Sequence, residues 1–209
     1  MIAGNAQTKH KVHGLWDKMN RQISIVQHNV NRQKIASHQL RDFSVSIKAD
    51  IILIQEPVVS AGIVYGFEDQ TCVLKGNKAG SAVLELSQYY NEYIVAVKVG
   101  SGDDTDTITL VSAYFKYSMP TLDFIEKLRP ILDSEMHIII GSDANGHSKL
   151  WHCQRKNDRD RHLDALIEDF DQRVSNSPQP ISTYQREGMG ESNIDVTLTT
   201  PQLQDRIHD

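Results

Sequence analysis

Apolar residues recur along this chain in two periods, and the switches between them set the expected elements. "QISIVQHNV" (residues 22–30) alternates Ile23, Ile25 and Gln27 against Ser24, Val26 and His28, which predicts a strand that Asn29 ends. Residues 32–47 then bring Ile35, Leu40, Phe43 and Ile47 near helical spacing, so an amphipathic helix follows. "ADIILIQEP" (49–57) is apolar on both faces and predicts a strand buried from both sides. Glu56 closes it, and Pro57 disfavours helix at Glu56 and ends the ladder.

Four strand-like runs come next without helices between them, at 71–75, 82–86, 93–99 and 107–114, with polar residues 100–106 as a turn or loop. They read as a meander. The helical period returns at 122–132, with Pro120 near its start, and again at 159–170, where Leu163, Leu166, Ile167 and Phe170 share a face. Between these lies "HIIIGSD" (137–143), another doubly buried strand, and short strands are expected at 181–184 and 194–199. Residues 1–20 are polar and aperiodic and are expected to form a loosely ordered leader or linker ahead of one domain over 21–209. Mixed βα units and a meander exclude a simple doubly wound fold. They fit an α/β (α+β) sandwich of two face-to-face mixed sheets with helices outside.

Composition narrows the class. A chain of 209 residues with 39% hydrophobic and 23% charged residues can bury a core. No apolar run approaches the roughly 20 residues that cross a bilayer, and the first residues lack a signal peptide's apolar core, so an intracellular protein without a membrane partner is expected. Cys72 and Cys153 lack zinc-site spacing and read as free thiols. A net charge of −5 argues against a protein that coats nucleic acid nonspecifically. It leaves room for an enzyme that visits DNA, because metal-holding carboxylates contribute to that charge.

The chemistry concentrates where apolar runs stop. Asn29, Glu56, and Asp143 with Asn145 end three strands; Tyr114 ends "TLVSAYF", and Asp195 sits inside "ESNIDVTL". Any one of these is ordinarily a turn former or cap. Five strands ending this way point instead to a ligand, because α/β folds hold ligands at strand ends. Carboxylates and amides without paired cysteines make a hard oxygen site suited to Mg²⁺ or Mn²⁺. Asp143 can activate a water while Asn145 and Tyr114 donate to phosphate oxygens, which describes metal-assisted phosphoester hydrolysis. His147, Trp151 and His152 have no third ligand nearby and read as loop packing rather than a zinc site.

"QHNVNRQK", "IILIQEP", "LVSAYF", "IIIGSDANGHSKLWH", "NDRDRHLDAL" and "SNIDVTL" together resemble the exonuclease-endonuclease-phosphatase superfamily. Within it they look like the apurinic-like endonuclease domain of non-LTR (LINE-type) retrotransposons, over residues 21–209. The resemblance implies a DNase I-like four-layer sandwich, with Glu56 and Asn29 as the metal-binding residues, Asn29 lying beside both metal and scissile phosphate. It implies Tyr114 against the phosphate, Asp143 as the water-activating carboxylate, Asn145 on the phosphate, and Asp195 orienting a histidine. It also gives Arg155, Lys156, Arg159 and Arg161, otherwise a solvated surface, a role as contacts to the DNA backbone. Double-stranded DNA, the reverse transcriptase of the same polyprotein and a nuclear location follow from the same likeness. So does the function: nicking one DNA strand to prime reverse transcription. An apurinic repair nuclease, another phosphoesterase of the fold, or an inactive DNA-binding module are the alternatives.

Two departures stand out. The family's histidine lies in a Ser-Asp-His motif on one further strand, which this sequence reaches Asp209 without; His208 in "RIHD" comes too early and reads as ordinary. The final strand is therefore expected outside this chain. Ser142 stands where the usual motif has Gly before Asp, which matters only if that backbone needs positive φ.

Overall fold

The computed structural model describes residues 8–12, 23–68, 73–74, 81–83, 89–100, 107–153, 157–177, 183–186 and 190–208. Two β-α-β units organise it. In the first, β2 (Ile23–Asn29) runs through helix α1 (Lys34–Ser46) into the parallel strand β3 (Ile51–Gln55), with Asn29 opposite Gln55. Strand β1 (Thr8–Val12) lies antiparallel against β2. Residues 8–12 therefore depart from the expected loose leader. "TKHKV" has no apolar period, and its pairing with β2 makes it a strand.

A short hairpin, β4 (Val59–Ser60) with β5 (Ile63–Val64), follows β3. Strands β6 (Val73–Leu74) and β7 (Ser81–Val83) then extend the first sheet beside β3. The second sheet takes β8 (Tyr89–Tyr90), β9 (Ile94–Gly100) and β10 (Thr107–Tyr114). The expected meander is thus divided between two sheets: Val73–Leu74 and Ala82–Val83, the described parts of the runs at 71–75 and 82–86, join one, and the runs at 93–99 and 107–114 the other. Residues 101–106 of the expected loop lie outside the described residues.

The second β-α-β unit is β10, helix α2 (Thr121–Ser134) and β11 (Ile138–Asp143), again parallel, with Tyr114 opposite Asp143. Helix α2 continues through Pro130, whose missing N–H and ring ordinarily cost about 3 kcal/mol in a helix interior. Burial of Ile131 and Leu132 on the core side offsets that cost. A single 3₁₀ turn, Lys149–Trp151, and helix α3 (Asp158–Asp169) come next. Short β12 (Arg173–Val174) pairs with β15 (Asp195–Thr199), which lies antiparallel to β11; β13 (Tyr184–Arg186) and β14 (Gly190–Ser192) form a separate hairpin. Helix α4 (Pro201–Gln204) then leads to β16 (Ile207–His208), which pairs with β1.

The two six-stranded sheets pack face to face in the orders β16-β1-β2-β3-β7-β6 and β12-β15-β11-β10-β9-β8. Ile25, Leu53, Val95, Val97, Leu110 and Ile139 fill the space between them. Leu40 and partly buried Phe43 of α1 cover the outer face of the first sheet, against Val26, Ile52 and Ile54. Phe124 and Leu128 of α2, with Leu163 and Leu166 of α3, cover the second. This is the expected four-layer sandwich. Ile35 departs from the predicted core face of α1 and is 57% exposed, two residues ahead of the first buried position, Ser37.

Candidate active site at the strand ends

The two β-α-β units, with β15 beside the second, deliver the six predicted catalytic or metal-binding side chains to one edge. Crossovers keep β2 parallel to β3 and β10 parallel to β11, so each pair ends in the same direction. Asn29 and Glu56 therefore come from one sheet, Tyr114 and Asp143 from the other, and Asp195 faces Asp143 across the β11–β15 ladder.

Asn29 bridges the sheets. Its Nδ2 donates to Asp143 Oδ2 in a short hydrogen bond and to Glu56 Oε2 at 3.4 Å, while its Oδ1 accepts from the Asn31 amide at 2.7 Å. The amide nitrogen thus faces the carboxylates, and of the two predicted metal ligands Glu56 presents carboxylate oxygens. Glu56 has φ of 47°, a left-handed backbone that strains a non-glycine residue by about 1–3 kcal/mol. The Arg32 N–H donates to the Glu56 carbonyl at 2.8 Å, and Arg32 Nε stands 3.7 Å from Glu56 Oε1. Asn145 has φ of 46°; its N–H donates to Asp143 Oδ1 at 3.1 Å and its Nδ2 to the Phe115 carbonyl at 3.2 Å.

Burial controls the electrostatics. Asp143 is 2% exposed, and desolvation raises its carboxyl to about 7, against hydrogen bonds from Asn29 and Asn145 and with the Glu56 charge adding to the rise. Desolvation likewise raises Asp195 well above the ordinary carboxylate range, and the Asp143 charge adds to it. Asp195 Oδ1 is buried and has no hydrogen-bond partner among the described residues. Tyr114 is held protonated first by burial, then by the charges of Glu56 and Asp143, and it hydrogen-bonds Glu56.

Carboxylates crowded in this way fit a hard divalent cation. The described residues contain no cluster of three or more His, Cys, Asp and Glu arranged as metal ligands. Mg²⁺ does not require one, since it retains several waters and binds through one or two carboxylates.

Other expectations resolve differently. Arg155 and Lys156 lie outside the described residues, as does Cys72. Arg161 is exposed and pairs with Asp158 at 2.9 Å. Arg159, expected on the DNA backbone, has its guanidinium engaged within the protein: Nη2 donates to the carbonyls of Lys116, Tyr117 and Met119 at 3.0, 2.7 and 2.8 Å. Sequence shows a basic cluster but not which way each side chain turns. Trp151 packs as expected, 1% exposed, with Nε1 donating to the Gly146 carbonyl. Cys153 is a buried free thiol. Ser142 lies on extended backbone within β11 and donates to the Val196 carbonyl, so the missing glycine has no conformational consequence.

Four residues escaped the sequence reading. Arg32 flanks Glu56, and Thr183 Oγ1 accepts from the Asp195 amide at 3.2 Å. Gln27 and Gln55 link the sheets directly beneath the site. Gln27 Nε2 donates to the Ser142 carbonyl at 2.9 Å and Gln27 Oε1 accepts from Thr197 Oγ1 at 3.3 Å. Gln55 Nε2 donates to Ser112 Oγ at 3.0 Å and the Gly141 carbonyl at 3.3 Å. The sheets approach so closely that a Cβ on Gly141 would stand 2.7 Å from Gln27 Oε1. The signal was available: a glutamine inside each of two apolar strands is anomalous unless it has buried partners.

Comparison with known proteins agrees with this fold. The sequence profile of the endonuclease-reverse transcriptase family matches residues 108–209. Among solved structures, the endonuclease domain of TRAS1, a telomere-specific non-LTR retrotransposon, superposes with a TM-score of 0.74 at 24% identity, covering 87% of this chain and 86% of that one. An AP endonuclease from Archaeoglobus fulgidus matches at 0.61 and 18% identity over 90% of each chain. The AP endonuclease LMAP from Leishmania major matches at 0.60 and 13%, over 87% of this chain and 80% of that one. Among curated proteins none matches in sequence. The chain has the DNase I-like exonuclease-endonuclease-phosphatase fold. The resemblance drawn from its motifs agrees with the endonuclease-reverse transcriptase profile over residues 108–209, and the TRAS1 superposition shows the same fold. No helix among the described residues is long and apolar enough to cross a membrane.

Proposed function

We propose that this chain is the metal-dependent DNA endonuclease domain of a non-LTR retrotransposon. It nicks one strand of double-stranded target DNA by phosphodiester hydrolysis, in the nucleus. The freed 3′-hydroxyl then primes the reverse transcriptase of the same polyprotein. The observation that carries this reading is the meeting of Asn29 and Glu56 from one sheet with Tyr114, Asp143, Asn145 and Asp195 from the other.

The residues divide the work. Glu56, next to Asn29, would hold Mg²⁺ or Mn²⁺, which when bound polarises a phosphoryl oxygen and neutralises developing charge. Asp143, poised at about 7, accepts a proton from the attacking water near neutral pH. Asn29 orients that carboxylate through its short hydrogen bond. Tyr114, kept protonated, donates to a phosphate oxygen, and the Asn145 amide donates to another. The unpartnered Asp195 Oδ1 suits a donor such as the histidine of the Ser-Asp-His motif.

The test is conversion of supercoiled plasmid to nicked circle with Mg²⁺ or EDTA, by this chain and by one carrying the Ser-Asp-His strand. Mg²⁺-dependent nicking is expected, strongest with that strand and abolished by Asp143→Ala or Glu56→Ala. Metal-independent nicking, or full activity of Asp143→Ala, would overturn the mechanism. The likeness to AP endonucleases supports a second reading, apurinic repair, which a much faster nick at an abasic duplex than in intact plasmid would favour.

A further inference from the structure

The five residues after Tyr114 form a fixed turn that presents one aromatic ring to solvent. The Phe115 amide donates to the Asp143 carbonyl at 2.9 Å, and the Phe115 carbonyl accepts from Asn145 Nδ2. The Lys116 amide returns to the Tyr114 carbonyl at 3.1 Å and the Met119 amide to the Lys116 carbonyl at 3.1 Å. Arg159 closes the turn from α3, its Nη2 taking three carbonyls of the segment at once. Its guanidinium also lies 5.7 Å from the Tyr117 ring centroid. That guanidinium is within electrostatic reach of Asp143 and Tyr114, so the turn borders the catalytic edge.

Despite this anchoring, Tyr117 is 77% exposed, the most exposed of the large apolar or aromatic side chains among the described residues. An aromatic ring left in water is ordinary on a mobile loop. Here the backbone beneath it is already ordered, so a ligand that covers the ring bears little further ordering cost. The underlying guanidinium and the neighbouring exposed Lys116 place positive charge around the ring, which suits a polyanion.

We infer that Tyr117 stacks on a nucleobase of the DNA beside the scissile phosphate, and that Arg159 is a positioning residue that fixes the ring. This rests on the endonuclease reading. It reassigns Arg159 from phosphate contact to clamp and gives the recognition role to a residue the basic cluster did not suggest.

The experiment is fluorescence-anisotropy titration of a fluorescein-labelled DNA duplex with this chain at several salt concentrations, for the wild type, Tyr117→Ala and Tyr117→Phe. Stacking on a base that is free of its neighbours is worth roughly 5- to 100-fold in affinity, so the duplex carries one unpaired base, which costs least to take out of the stack. Tyr117→Ala should weaken binding by that factor at every salt concentration, leaving the slope of log affinity against log salt unchanged, because a ring displaces no counterions. Tyr117→Phe should bind within about twofold of the wild type. The inference is overturned if Tyr117→Ala binds like the wild type. It is equally overturned if the slope drops by about one, which marks a phosphate contact, or if Tyr117→Phe is as weak as Tyr117→Ala, which marks a hydroxyl contact. Mg²⁺-dependent plasmid nicking together with an indifferent Tyr117→Ala would sink the stacking alone. A wild type that neither binds nor nicks DNA would sink the endonuclease reading with it.

Discussion

The two β-α-β units are built alike and finished differently. Each runs a strand into a helix and back into a parallel neighbour, and each ends with polar side chains at the same edge. The first unit leaves its strands through left-handed residues, Asn31, Arg32 and Glu56, and the Glu56 side chain is 17% exposed beside a guanidinium. The second keeps Tyr114 and Asp143 inside β10 and β11, where Asp143 is paired across the ladder with Asp195. The left-handed Asn145 lies beyond them, whereas Glu56 itself lies past the end of β3. Asp143 is consequently desolvated and titrates near neutrality, whereas Glu56 keeps access to water. One supersecondary plan thus yields an accessible carboxylate suited to a cation and a buried one suited to a proton.

Substitution at the two carboxylates breaks this comparison most sharply. Asp143→Asn keeps the shape and removes the proton acceptor, so nicking should fall by roughly 100- to 10,000-fold at every Mg²⁺ concentration. Glu56→Gln weakens a ligand instead, so its loss should be partly recovered as Mg²⁺ is raised. Nicking rates against Mg²⁺ concentration distinguish the two. Equal recovery in both variants would show that the carboxylates are not divided in this way.

Acid stability separates the units by sign. His28, on β2 and 7% exposed, is held neutral by burial, its pKa lowered to about 4. The unfolded chain binds that proton near 6.5, so stability is complete above about 6.5 and declines as pH falls towards 4, by up to about 3 kcal/mol. Asp143 and Asp195 act in the opposite sense. Their folded pKa values are raised, so their contribution is fully present below the unfolded carboxyl value near 4 and is lost as pH rises through the folded values. Denaturant unfolding of the wild type and His28→Phe between pH 4 and 7 isolates the first effect. The wild type should lose stability relative to the variant on acidification, and parallel curves would remove His28 from the account.

The same contrast explains what could be read in advance. Runs such as Ile138–Ile139–Ile140 announce doubly buried strands, and the polar residues that stop them identified the six catalytic or metal-binding candidates, which the structure brings to one edge. Direction and long-range partnership were not legible. Arg159 belongs to a basic cluster by sequence, yet the carbonyls it clamps lie some forty positions earlier. Thr8–Val12 becomes a strand only because β2 and β16 accept it, and no local period records that. The meander could not be divided between sheets, because strand periodicity says nothing about which neighbour a strand takes.

The smallest expected effect concerns the seam that joins the units. Gln27 and Gln55 are 2% and 0% exposed, each lies within two residues of a site side chain, and their amides reach across to Ser112, Gly141, Ser142 and Thr197 of the second sheet. Gln27 is satisfied at both ends, whereas Gln55 Oε1 is buried without a partner among the described residues. Such amides contribute about 1 kcal/mol per hydrogen bond made, but they favour a single register between surfaces that apolar packing alone holds loosely. If the seam sets where Asn29 and Glu56 meet Asp143, then Gln55→Met, close in volume, should lower the nicking rate constant about tenfold, the consequence of a displacement smaller than the roughly 1 Å that costs about a hundredfold. The melting temperature should move by only a few degrees, and the Mg²⁺ concentration for half-maximal rate should stay put, because Glu56 itself is unchanged. Ser112→Ala, which removes one partner of the same amide from the opposite sheet, should reproduce a smaller part of the loss. A Gln55→Met enzyme with full rate but lowered stability would make the seam ordinary core structure, and the two units would then be aligned by their apolar faces alone.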